Sequence, residues 1–245
     1  LYERYLYGSF VCGACVMRNF PAICVDDFYA NPDDVRSWAL SQTFLHNESG
    51  GWPGKRTKYI SELNPKLFNA FVNKVSYLFY DFTGRPEMTE VQTFFQITEP
   101  YDSDPQSIKN QGWIHKDNMD VVNYNIAGVL YMTPGIEVEA GTSVYRLKTD
   151  KYIDYSAERR PFYGKGVDNG YDLALKANND QFEEIIRYGN VYNRFVAYDP
   201  NLWHASGTMH TNQPRLLQIF FAKLKCDDML SPIERLRFVE NKMGM

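Results

Sequence analysis

His115 and Asp117 flank a single residue, His204 follows after a long interval, and Arg215 stands eleven residues beyond it. Two imidazoles and one carboxylate can occupy one face of an octahedral metal. Three positions then stay open for a chelating cosubstrate and dioxygen, a ligand set suited to non-haem Fe(II). On an extended backbone the side chains at i and i+2 share a face, so His115 and Asp117 can converge on one ion while Lys116 points away. An arginine fork at the inner end of an apolar pocket pairs bidentately with a carboxylate. Arg215 is the candidate for that role, because a carboxylate-bearing cosubstrate is what the open metal positions require.

In a chain with four histidines and 30 acidic residues, a chance His-x-Asp carries little weight, so the surroundings must decide. Trp113-Ile114-His115 follows a Gly-containing loop and precedes an apolar run from Val121, which puts the pair at the mouth of a strand where pocket walls begin. For the second imidazole, His46 sits beside Asn47-Glu48 before a glycine loop, and His210 lies in a polar turn. His204 follows a strand and the Asp199-Pro200 turn, beside Trp203 and small Ala205-Ser206. That setting can be packed and still face a pocket, so His204 is the expected ligand.

These groups need a rigid frame, and the hydrophobic periodicity supplies one. Asn31-Pro32-Asp33-Asp34 predicts a helix over 32–42, and Asn64-Pro65 opens a second with Leu67, Phe68, Phe71, Val75 and Leu78 on one stripe. Residues 19–28 read as a strand entering a turn. From Val91 the period becomes that of strands, over 91–98, 121–132, 142–147, 191–198 and 216–224. The 216–224 strand, begun by Arg215, is expected antiparallel to the His204 strand across the 207–214 turn. The polar, Tyr- and Gly-rich segment 148–179 reads as an inserted loop or lid, 180–188 as a short helix, and Ser231-Pro232 as the start of a terminal helix. Helices followed by antiparallel strands indicate a mainly β fold with flanking helices, a jelly-roll or cupin-like core. The expected organisation is a single domain over 1–245: helical support over 1–90, a core over 91–224 interrupted at 148–179, and a C-terminal helix over 230–241.

Composition narrows the function classes. A net charge of −4 without a dense basic run does not suggest a generic electrostatic grip on nucleic acid or anionic membrane. No apolar stretch reaches the ~20 residues of a membrane span. Phe10–Met17 is apolar but lacks a basic leader and a small-residue cleavage pattern. Of Cys12, Cys15, Cys24 and Cys226, the first two form a CxxC with no second CxxC to complete a zinc site. A reducing, cytoplasmic setting is expected.

With these residues in order, the chain resembles the Fe(II)- and 2-oxoglutarate-dependent dioxygenase superfamily, whose core is a double-stranded β-helix. Val25-Asp26-Asp27-Phe28 with Asn31-Pro32 looks like the opening of prolyl-hydroxylase-like members. The segments 127–132, 140–145, 194–198 and 202–205 resemble the successive core strands that carry the site. The resemblance implies that His115, Asp117 and His204 bind Fe(II), and that Arg215 binds the distal carboxylate of 2-oxoglutarate. Gln92, Tyr131 and Thr142 are further pocket candidates, since alternating strands must turn some polar groups inward. The implied activity is hydroxylation of a C–H bond, with a peptide or amino-acid side chain as the expected substrate among small-molecule or peptide partners, using O2 and converting 2-oxoglutarate to succinate and CO2. Demethylation stays open, and Asp117 disfavours halogenation, which needs that ligand position vacant. Two other readings stay open: a cupin-like metalloenzyme that does not use 2-oxoglutarate, and a non-catalytic jelly-roll binding module. Oligomeric state is not readable from the sequence.

Overall fold

A computed structural model describes residues 22–78, 87–117 and 126–225. The expected C-terminal helix, the CxxC pair, the apolar segment 10–17 and the first residues of the 121–132 strand lie outside this range.

Among the described residues, ten strands form two antiparallel sheets. They are β1 (Ala22–Val25), β2 (Leu45–His46), β3 (Lys55–Arg56), β4 (Glu87–Thr98), β5 (Ile126–Tyr131), β6 (Thr142–Leu147), β7 (Phe182–Tyr188), β8 (Phe195–Tyr198), β9 (Trp203–Ser206) and β10 (Arg215–Lys225). The larger sheet runs β1-β8-β5-β10-β4-β3-β2 and the smaller β7-β6-β9. Helices α1 (Pro32–Leu40), α2 (Ile60–Leu63) and α3 (Pro65–Leu78) precede the main strands, and α4 (Arg159–Lys165) and α5 (Tyr171–Asn179) lie between β6 and β7. No helix of the described residues is long and apolar enough to cross a membrane.

Side-chain alternation explains how the larger sheet serves two cores. On β10, Leu216, Phe220 and Ala222 point to the layer containing α1 and α3, while Leu217 and Phe221 point to the opposite face. β5 repeats the pattern with Ile126 and Leu130 against Ala127, Val129 and Tyr131. A central strand covered on both faces reads as a continuous apolar run, as this one does. On α3, Phe71 and Val75 are fully buried, with Leu67, Phe68 and Leu78 packed at the edge of the same cluster. Phe28, Phe195 and Phe220 stack in sequence at 4.7 and 5.2 Å between ring centres, and each buried ring contributes roughly 1.5–3 kcal/mol. Gly128 permits this packing: a Cβ there would lie 2.3 Å from the Phe220 ring and 2.4 Å from the Val196 carbonyl oxygen.

Four expectations need correction. Residues 182–188 form a strand, because register with β6 (Leu147 opposite Phe182, Thr142 opposite Tyr188) outweighs the local helix tendency around Asp180 and Glu183-Glu184. The inserted segment is built around α4 and α5, whose Phe162 and Tyr171 rings stack at 3.7 Å and pack with Tyr163, Leu175 and Trp113. β8 begins only at Phe195, because Asn193 adopts a left-handed φ of 65° and turns its amide onto the backbone of Tyr29. β10 does not pair with β9: it lies between β4 and β5, while β9 pairs with β6 in the facing sheet. The turn over 207–214 thus crosses between the sheets.

Candidate metal centre

The chain carrying His115 runs beside β9. His115 N–H donates to the His204 carbonyl at 3.0 Å, His204 N–H returns a bond to His115 at 2.9 Å, and Asp117 N–H donates to Pro200 at 2.9 Å. Two segments distant in sequence are therefore held in register by backbone alone. Their imidazole rings lie 4.6 Å apart. His204 Nε2 sits 3.1 Å from Asp117 Oδ2 and His115 Nε2 3.5 Å from Asp117 Oδ1. One ligand-type atom from each of the three residues lies within 4.8 Å of the others, the spacing of a group able to hold a metal ion.

The inserted segment braces this loop. Asn179 accepts from the Ile114 N–H at 3.1 Å and donates to Gly112 at 3.0 Å, and buried Asn178 donates to the Ile114 carbonyl at 3.0 Å. Trp113 packs against Tyr171 in the apolar cluster of α4 and α5. This support escapes sequence reasoning, because asparagines at the end of a helix carry no mark of a distant partner.

The proton arrangement bears on what the three groups can bind. His115 Nδ1 lies 2.7 Å from the Trp113 carbonyl and His204 Nδ1 2.9 Å from the Leu202 carbonyl. A carbonyl only accepts, so both Nδ1 atoms carry protons, and in a neutral ring both Nε2 atoms hold lone pairs. Those lone pairs converge on a carboxylate. Without a cation between them, the carboxylate favours a second proton on one ring. Burial pushes His115 down, with Asp117 partly opposing it. Burial also opposes a charge on His204, but there the Asp117 carboxylate outweighs it and the net shift is upward. Burial likewise raises Asp117, yet the two imidazoles hold it far below the usual carboxylate range. Carbonyl-bonded Nδ1–H groups are the outer contacts that orient metal-binding histidines. The three residues fit a divalent metal.

They open onto a cavity of about 390 Å3 between the sheets, roofed by α4 and the loop at Trp52. Arg215 and Thr142 line it. Arg215 is 3% exposed, donates to Ser206 Oγ at 2.6 Å and to the Ala140 carbonyl, and has a buried Nε–H without a partner. Among the described residues no carboxylate pairs with it, and burial pushes its pKa down to about 10. Tyr131 is fully buried behind Thr142, donating to its hydroxyl at 2.9 Å. Gln92 does not line the cavity. Gln96, on the same face of β4 and further along the strand, does. Of the other histidines, His46 donates from Nε2 to Gly164 at 2.6 Å, tying β2 to α4, and His210 does not line the cavity. Ser206 and Gln96 were missed by sequence reasoning, although Ser206 follows His204 by two residues on one strand and so had to share its face.

The chain matches a family of unknown function (DUF6445) over residues 14–215. It belongs to that family. A comparison with curated protein sequences finds no match. In fold, this family member is similar to a prolyl hydroxylase from Trichoplax adhaerens solved with a hypoxia inducible factor peptide fragment. That likeness has a TM-score of 0.51 and 10% identity, covering 89% of this chain and 86% of the other. It is also similar to HygX from Streptomyces hygroscopicus, solved with nickel and 2-oxoglutarate, with a TM-score of 0.52 and 11% identity over 82% of each chain. A third is the non-haem alpha-ketoglutarate-dependent carbocyclase SnoK of nogalamycin biosynthesis, with a TM-score of 0.52 and 9% identity, covering 84% and 80%. At such identity the likeness is one of fold: a mainly β, double-stranded β-helix, the architecture that these oxygenases share.

Proposed function

We propose that this protein is an Fe(II)- and 2-oxoglutarate-dependent oxygenase that hydroxylates a C–H bond of a small molecule or peptide side chain. The observation that carries the proposal is the pair of imidazoles whose Nδ1 protons are committed to backbone carbonyls while both Nε2 atoms face Asp117. His115, Asp117 and His204 would hold Fe(II). Bound there, the metal would supply dioxygen activation coupled to conversion of 2-oxoglutarate to succinate and CO2.

The chain's own groups bind, orient and exclude. Arg215 grips the distal carboxylate of 2-oxoglutarate, its fork steadied by Ser206 and the Ala140 carbonyl. Thr142, with Tyr131 behind it, adds a hydroxyl on the cavity wall. Val129, Leu217, Ile219 and Phe221 give an apolar floor that keeps water from the reacting centre and strengthens each polar contact.

The test is anaerobic loading with Fe(II), addition of 2-oxoglutarate and oxygen, and quantification of succinate, with His204→Ala as control. Succinate that requires both Fe(II) and 2-oxoglutarate, and is lost in His204→Ala, is the expected result. Metal binding without 2-oxoglutarate turnover would favour a cupin-like metalloenzyme and end this proposal.

A further inference from the structure

The chain carries a net charge of −4, but its cavity has the opposite sign. Arg56, Arg159, Arg160 and Arg215 line it against the single carboxylate of Asp117, which a divalent metal would more than neutralise, while Lys116 turns its ammonium over the Trp203 ring. One dicarboxylate cosubstrate at Arg215 leaves the cavity with a surplus of arginines.

Arg56 is the most constrained of the remaining cations. Its guanidinium sits 3.9 Å from the centre of the Trp52 ring and 4.3 Å from that of Phe94. Nε donates to Gln96 Oε1 at 2.6 Å. Those contacts fix the plane of the group and occupy its Nε side. Among the described residues no acceptor pairs with the two Nη atoms. What remains is the flat Nη1/Nη2 edge, two parallel donors that match the two oxygens of a carboxylate. Burial lowers this guanidinium to about 9, with Asp117 the leading opposing influence. Arg56 and Asp117 line the same cavity, so the fork faces the space beside the metal group.

We propose that Arg56 is a second anion-binding position and that the molecule oxidised in this cavity is a compact carboxylic acid held by that fork. The proposal rests on the oxygenase reading for the oxidation and for the occupant of Arg215, while the anion site at Arg56 stands on its own geometry. The cavity of about 390 Å3 lies at the small end of the range for ligand pockets. Shared with a five-carbon cosubstrate, it has room for a small acid held near the metal. A bound acid would also set the reacting carbon within a few bonds of its own carboxylate.

The test uses Mn(II)-loaded protein saturated with N-oxalylglycine, an isostere of 2-oxoglutarate that resists decarboxylation. Phenylacetate, indole-3-acetate and glutarate are titrated against their neutral amides, and phenylacetate against phenyl phosphate, by calorimetry. At least one acid should bind about tenfold or more tighter than its amide, as a bidentate ion pair requires. In Arg56→Gln that preference should collapse to within about twofold, with N-oxalylglycine still bound and the circular dichroism spectrum retained. Equal affinity for every acid and its amide, an acid preference unchanged in Arg56→Gln, no acid bound, or phenyl phosphate ahead of phenylacetate would each overturn it. Failure of N-oxalylglycine to bind would instead count against the oxygenase reading. The acid-over-amide comparison in parent and Arg56→Gln would still report on Arg56.

Discussion

Replacing Arg215 by methionine should largely abolish cosubstrate binding while leaving stability nearly unchanged. The guanidinium is 3% exposed, lacks a carboxylate partner among the described residues, and is lowered by burial to about 10. Its folded-state pKa is depressed and it stays charged at pH 7, so that burial opposes folding by on the order of 3 kcal/mol. Against this stand the bonds to Ser206 and Ala140, worth roughly 1.5 kcal/mol each for a charged donor. The two nearly cancel, so Arg215→Met should unfold in urea within about 1 kcal/mol of the parent, where breaking a buried ion pair would cost about 3–5 kcal/mol. The cosubstrate effect should be large. With Mn(II) present and 2-oxoglutarate at about 100 times its dissociation constant, the parent gains about 2.7 kcal/mol. For a chain of this size that raises the melting temperature by roughly 5–10 °C. A hundredfold loss of affinity in the variant leaves about 0.4 kcal/mol, roughly 1 °C. Differential scanning fluorimetry with and without 2-oxoglutarate reads both quantities. A variant destabilised by more than about 3 kcal/mol that keeps the full ligand-induced shift would make Arg215 a structural cation and refute the reasoning.

Other outcomes follow from the same geometry. In the metal-free protein His204 titrates above 6.5 and His115 below it, so His204 stabilises the fold below pH 6.5 and loses that contribution as pH rises through its raised value. Mn(II) must displace the His204 proton, so its affinity should fall about tenfold per unit as pH drops below that value. Affinity that stays flat from pH 8 to 6 would contradict this. Asn178→Ala leaves the Ile114 carbonyl without its buried donor. Stability should fall by about 1–3 kcal/mol with weaker Mn(II) binding, and a variant that lost only stability would show that the brace does not position His115. Gly128→Ala forces a methyl against Phe220 and the Val196 carbonyl and should cost at least about 1–3 kcal/mol in a denaturant melt; parental stability would contradict the packing described for β5.

What sequence alone could determine was whatever is encoded by neighbours. The alternation on 91–98, 142–147 and 216–224 marked strands, and the stripe from Leu67 to Leu78 marked α3, because faces repeat every two or about 3.6 residues. The spacing of His115 and Asp117 was likewise local, and together with the packed setting of His204 it named three residues that the fold brings within 4.8 Å. The rest required partners distant in the chain. Residues 182–188 became a strand only because β6 lies beside them, and β9 and β10 parted into facing sheets although one turn joins them. Asn178 and Asn179 gained their purpose from a loop more than sixty residues away. Arg215 could be named from its place after His204, but that it and Arg56 are buried cations facing one cavity was decided only by closure of the sheets. Periodicity is fixed by covalent geometry and can be read from a string. Burial, and the charge it isolates, exists only once the sheets have met.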